Sequence, residues 1–143
     1  MISYKWELII ILWFAYFFNQ GDRQVFNAVI PLIKKDLHLS DIEIGMIATI
    51  FTIVYGCIVP FAGYASDFMK RKWIIFGSLL IFSSGTLLTG LSGSLFSFIL
   101  IRGIVTGGGE AVYYPAATSL IGQYHQKTRA MALSIHQTAL YVG

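Results

Sequence analysis

Apolar residues fall into five long runs, 6–30, 42–66, 73–88, 95–121 and 130–143, separated by short polar stretches. A helix needs about 20 mainly apolar residues to cross a hydrocarbon core of about 30 Å. The pattern therefore predicts an all-α, polytopic transmembrane helix bundle with four spans and the start of a fifth. The second half of the first run breaks the apolar pattern with Asn19, Gln20, Asp22, Arg23, Gln24 and Asn27. Asn19, Arg23 and Asn27 recur every four residues and share one helix face. A charge facing lipid costs about 2.5–3.5 kcal/mol on insertion scales. Six polar groups, two of them charged, cannot all face acyl chains, so they face other helices or a water-filled cavity.

The polar stretches set the direction of the spans. Lys5, Lys70, Arg71, Lys72, Lys127 and Arg129 fall on one side, whereas Lys34 and Lys35 fall on the other. The side richer in cations is expected to be cytoplasmic, which puts the N-terminus on the cytoplasmic side of the cell membrane. Ser40-Asp41-Ile42-Glu43 has the spacing of a helix capping box and predicts the start of the second span. Gly45, Gly56 and Gly63 in that span allow close helix approach.

Composition narrows the classes further. The chain is 56% hydrophobic and 12% charged, about half the charged fraction of a soluble domain. The net charge of +3 follows from the loop cations, and no basic stripe with interleaved aromatics marks a nucleic-acid partner. One cysteine, Cys57, excludes an intrachain disulfide and reads as a buried, inert thiol. The first apolar run is too long for a cleaved leader and lacks a small-residue cleavage site. No nucleophile–base pair or metal-ligand cluster suggests an enzyme, and no cofactor is called for.

Two constellations carry candidate chemistry. The first is Asp22-Arg23 with Asn19 and Asn27, either a substrate or ion site on a central cavity or polar packing that fixes helix contacts. Neighbouring helical residues point about 100° apart, so Asp22 and Arg23 cannot both serve one ligand, and one of them is expected to pair with another helix. The second is Arg102, Thr106 and Glu110 on the fourth span. Glu110 lies about 12 Å along the axis from Arg102, so each needs a partner elsewhere or a ligand. Arg23 and Arg102 lie at similar depth. Two guanidiniums there would favour an anionic substrate, because their fork matches carboxylate or phosphate. An Asp22–Arg102 ion pair is the alternative. Glu110 is the candidate proton-coupling carboxylate, with Tyr113 beside it as a further candidate. A structural Glu110 hydrogen-bonded to Tyr113, Tyr114 or another helix is the alternative. Gly107-Gly108-Gly109 reads as close packing rather than a phosphate loop, which would need a preceding strand and a Lys. His136 reads as a cavity residue or a satisfied polar group. His38 and His125 read as plain loop residues.

The polar stretch 63–72 carries a resemblance. Gly63, Asp67, Arg71 and Lys72 match the loop between helices 2 and 3 of the major facilitator superfamily of secondary transporters, whereas Phe68 and Lys70 depart from it. Arg102, the glycine run and Glu110-Ala111 resemble the fourth-helix motif of the same superfamily, although the Gly-Glu-Ala unit sits one residue late. Asp22-Arg23 and Gly108-Gly109-Glu110-Ala111 resemble a subset that moves organic anions and sugar acids. The resemblance implies the N-terminal four to five helices of that fold. It also implies substrate near the bilayer midplane, proton-coupled alternating access, and a conformational latch formed by Gly63, Asp67, Arg71 and Lys72.

The expectation is thus transport of a small organic anion, with protons and the bilayer as partners. Family members are expected to have about a dozen spans in two halves. The chain therefore reads as an incomplete N-terminal fragment whose C-terminal half lies in the same or a separate chain, and it is not expected to transport alone. The alternatives are a small four-helix multidrug exporter, or a non-transporting membrane scaffold or regulatory subunit.

Overall fold

The computed structural model describes residues 4–143, apart from the side chain of Asp67. Five helices follow one another: α1, Tyr4–Asp36; α2, Asp41–Phe68; α3, Arg71–Thr89; α4, Leu95–Tyr124; and α5, Arg129–Val142. Among the described residues there is no strand. By length and composition, α2 (Asp41–Ser66), α3 and α4 are apolar enough to cross a membrane. The polar half of α1 lowers its hydropathy, although its 33 residues extend about 50 Å.

Several boundaries differ from the sequence expectation. Helix α1 continues past Ile30, through Pro31, to Asp36. It ends because His38 takes a left-handed conformation (φ 52°). Leu39 N–H then bonds Lys34 C=O at 2.9 Å and His38 N–H bonds Lys35 C=O, a Schellman closure that usually employs glycine. Leu39 is buried beside Ile33 and Leu37, so His38 is the helix stop rather than an incidental loop residue. The next helix starts on the capping box: Ser40 N–H donates to Glu43 at 2.7 Å and Glu43 N–H donates back to Ser40 Oγ at 3.3 Å. A Lys34–Asp41 ion pair spans the turn. Between α2 and α3 only Met69 and Lys70 leave helical conformation, so Gly63 lies inside α2 and Arg71 opens α3.

Helix α4 is the hub. Helices α2 and α3 both pack along it, and α5 packs on α1. Glycines set the closest approaches. A methyl group on Gly109 would stand 2.8 Å from Phe82 N, and one on Gly85 would stand 2.6 Å from Thr106 Oγ1. Gly107 faces the Phe51 ring and Gly108 faces Ile58. Glycine without a side chain is what lets these backbones approach in a bilayer, where apolar attraction between helices is weak.

The main core gathers Ile9, Leu12, Tyr16, Tyr113, Ala116 and Ile121 at one end of the bundle, and Leu39, Ile47 and Phe98 form a smaller cluster at the other. Many large apolar groups point outward instead, including Ile53, Phe61 and Leu87, as a bilayer solvent permits. Cys57 belongs with them. It is exposed rather than buried, because α2 turns another face to α4 and its apolar residues do not need protein cover.

Candidate functional site

Residues Ile99–Thr106 of α4 form a π-helical stretch. Thr106 Oγ1 bonds the carbonyl of Ile101, five residues back, at 3.0 Å. In a regular α-helix, eight residues leave Arg102 and Glu110 about 80° apart. Wider π turns take more residues per turn and reduce that offset. Both side chains consequently reach α1.

Two ion pairs result. Arg102 Nη1 lies 3.0 Å from Asp22 Oδ2, and Arg23 Nε lies 2.9 Å from Glu110 Oε1. The sequence left one of Asp22 and Arg23 to pair with another helix; both do. Thr86 of α3 adds a hydroxyl hydrogen bond to Asp22 Oδ2 at 3.3 Å. The pairs differ in exposure. Side-chain exposure is 37% for Arg23 and 6% for Glu110, against 5% for Arg102 and 21% for Asp22. Each guanidinium also rests on a ring, Arg102 at 4.1 Å from the centre of Phe26 and Arg23 at 5.1 Å from Phe51. Cation–π contact strengthens as water is removed. Phe26, Phe51 and Thr86 were not singled out from the sequence, since an aromatic or Thr in an apolar run carries no signal until its neighbour is known.

The charged layer borders two cavities. One, of about 260 Å³, lies between α1, α2 and α4 and is lined by Arg23, Asn27, Phe51, Thr52 and Arg102 among apolar groups. The other, of about 360 Å³, lies between α1, α3 and the start of α4 and is bordered by Asp22, Asp36, Thr86, Thr89 and Arg102. Asn27 is exposed to the first, whereas Asn19 is buried and accepts a bond from Gln20 at 3.3 Å. Glu110 Oε2 and Asn19 Nδ2 have no hydrogen-bond partner among the described residues. Buried polar atoms of that kind are uncommon and point to water, a ligand or an alternative partner.

Tyr113 stands apart from both cavities. It is buried, and its hydroxyl donates to Leu12 C=O at 2.8 Å and lies 3.3 Å from His136 Nε2. His136 stacks on Tyr16 with ring centres 4.9 Å apart. Glu110 thus does not hold Tyr113 or Tyr114; Tyr114 instead accepts a bond from Gln137 at 2.9 Å. At the far end His125 is buried, with Nδ1 2.9 Å from Thr128 Oγ1 and Nε2 2.9 Å from Lys5 C=O. It ties the α4–α5 turn to the start of α1, a role that no local pattern revealed.

Of the four latch candidates, Arg71 donates to Gln123 Oε1 at 2.8 Å, and the Lys72 ammonium lies 5.5 Å from the centre of the Trp73 ring. Gly63 has open space where a side chain would grow. The side chain of Asp67 lies outside the described residues. Among the described residues no group of three or more His, Cys, Asp or Glu could hold a metal.

Residues 12–143 match the family model of the Major Facilitator Superfamily. The chain belongs to that superfamily. Its members are transporters rather than enzymes, and the match with three membrane-length helices makes this a multi-pass membrane protein. Protein spinster homolog 1 of Xenopus laevis is 33% identical, over 99% of this chain and 28% of that protein. Protein spinster of Drosophila melanogaster is 29% identical, over 97% of the chain and 23% of that protein. The putative multidrug resistance protein MdtD of Salmonella dublin is 26% identical, over 90% of the chain and 27% of that protein. The chain spans under a third of the length of these curated relatives. No solved structure matches it.

Proposed function

We propose that this chain supplies the N-terminal helices of a secondary transporter that moves a small organic anion, such as a sugar acid, together with protons by alternating access. The observation that carries this reading is the Arg23–Glu110 pair. Its carboxylate is enclosed while its guanidinium borders a cavity. A proton on Glu110 removes the charge that holds Arg23. Arg23 is then free to bind a carboxylate solute through its fork. Proton and anion would therefore bind together, and loss of one favours loss of the other. Substrate sites near the midplane between helical halves are the general pattern for such folds.

The orientation proposed is a cytoplasmic N-terminus in the cell membrane. Lys5, the Lys70–Lys72 trio and Gln123 border one end of the bundle through the Lys5–His125 and Arg71–Gln123 contacts, and positive charge favours the inside. At that end Arg71, with Gly63, Asp67 and Lys72, is proposed as the latch.

A second reading has support of its own. Apart from Arg23, Asn27, Thr52 and Arg102, the cavity on α2 is walled by apolar groups such as Ile44, Ile47 and Phe51, and MdtD is named for multidrug resistance. A drug-like apolar solute would suit that wall. Glu110→Gln in the complete gene product tests the coupling. Uptake driven by an inward proton gradient is expected to fall at least about tenfold, while gradient-free exchange of labelled solute persists. Gradient-driven uptake equal to wild type would remove Glu110 from the mechanism. Competition by sugar acids against competition by apolar cations separates the two substrate readings.

A further inference from the structure

We infer that the cation-rich end of the bundle holds the headgroup of an anionic phospholipid, in a crevice between the start of α1, the α2–α3 connection and the end of α4. The crevice has a volume of about 540 Å³. It lies at the opposite end of α1 from the cavities that border Asp22 and Arg23, and shares no lining residue with them. The site does not rest on the transport reading. Only its assignment to the cytoplasmic leaflet rests on the orientation proposed above.

Two chemistries meet in this crevice. Lys70, Arg71 and Lys72 line it together with Leu8, Met69 and Leu120. Arg71 is fixed across it by its bond to Gln123 at 2.8 Å, whereas Lys70 and Lys72 are exposed. The first turn of α3 holds no acidic residue, and none lines the crevice among the described residues. Within 63–72 the three cations stand against one carboxylate, Asp67, so the stretch keeps a positive charge. The lysines are compact point charges that suit a phosphate. Aromatic groups mark the depth. Trp73 and Phe76 point outward just inside the cations, and Tyr4 and Tyr124 meet at the crevice edge with ring centres 5.7 Å apart. Trp and Tyr collect at the headgroup level of a bilayer. Leu8 and Leu120 lie four residues inward from Tyr4 and Tyr124, about 6 Å deeper. A phosphate held at Lys70 and Lys72 thus has its glycerol and first acyl carbons beside Leu8 and Leu120. A soluble phosphate would need the cations alone and would leave the apolar groups without a use. Basic pockets between membrane helices recognise anionic headgroups in this way.

The test places the complete gene product in phosphatidylcholine nanodiscs containing a small fraction of phosphatidylglycerol with a photoreactive diazirine near its glycerol. Cross-linked peptides are then identified by mass spectrometry. Labelling is expected on the segments that hold Leu8 and Leu120, about tenfold stronger than with a phosphatidylcholine probe of the same design. Lys70→Gln with Lys72→Gln is expected to lower it about 25-fold. Lys127→Gln with Arg129→Gln removes the same charge at the same end, away from the crevice, and is expected to change it less than about twofold. Lys70→Arg with Lys72→Arg keeps the charge and is expected to keep the labelling, which separates lost charge from lost folding. Excess glycerol 3-phosphate is expected to leave the labelling in place. Equal effects of the two Gln pairs would show diffuse attraction instead of a site and would overturn the proposal. Equal labelling by the phosphatidylcholine probe, or no labelling at either segment, would do the same. Displacement by glycerol 3-phosphate would assign the crevice to a soluble phosphate and overturn the lipid.

Discussion

Six positions along α1 separate two polar layers that its neighbours complete differently. At Tyr16 the layer is neutral. Tyr113 bonds a backbone carbonyl, His136 stacks on Tyr16, and ring contacts fill the space between helices. At Asp22 and Arg23, about 9 Å further along the axis, the layer is ionic and lies between two cavities. The first layer uses polar groups as fixed fasteners. In the second each charge has a partner that could be traded for a proton or an anion. Polar content alone therefore does not single out the proposed site in this membrane helix; the cavities beside the second layer do.

The sharpest way to break the comparison is Arg102→Ala. It leaves Asp22 without its guanidinium, and removing one partner of a buried pair costs about 3–5 kcal/mol. Thermal unfolding in detergent should show a large loss, and Asp22→Ala added to it should restore part of the stability. A smaller loss is expected from Gly109→Ala, whose methyl group meets the backbone of Phe82 at 2.8 Å. Overpacking of this kind costs about 1–3 kcal/mol, read as a lower unfolding midpoint. The mildest change is Tyr113→Phe. It removes a hydrogen bond worth about 1 kcal/mol and should leave solute exchange intact; lost exchange with unchanged stability would move Tyr113 into the site.

The polar face of α1 and the Ser40–Glu43 cap were legible because each follows from local spacing. The candidates Asp22, Arg23, Arg102 and Glu110 were visible as charges that lipid would not accept. The Asp22–Arg102 pair, open as an alternative from depth alone, is formed; the Arg23–Glu110 pairing was not visible. It depends on the π-helical winding of α4, which no pattern in residues 99–106 announces, and on which faces α1 and α4 present to each other. Cys57 was misplaced because apolar residues in a bilayer have no need to be inside. The roles of His38 and His125 were missed for another reason. A left-handed helix stop usually falls on glycine, and a contact spanning 120 positions leaves no local trace.

The proposed exchange at the Arg23–Glu110 pair is most directly tested by solid-state NMR of the complete protein in lipid, with the Arg23 guanidinium and the Glu110 carboxyl isotopically labelled. A close contact, near the 2.9 Å between Nε and Oε1, is expected at alkaline pH, with separation as Glu110 takes up a proton in acid. A contact that stays the same across that range, or none at any pH, would contradict the account.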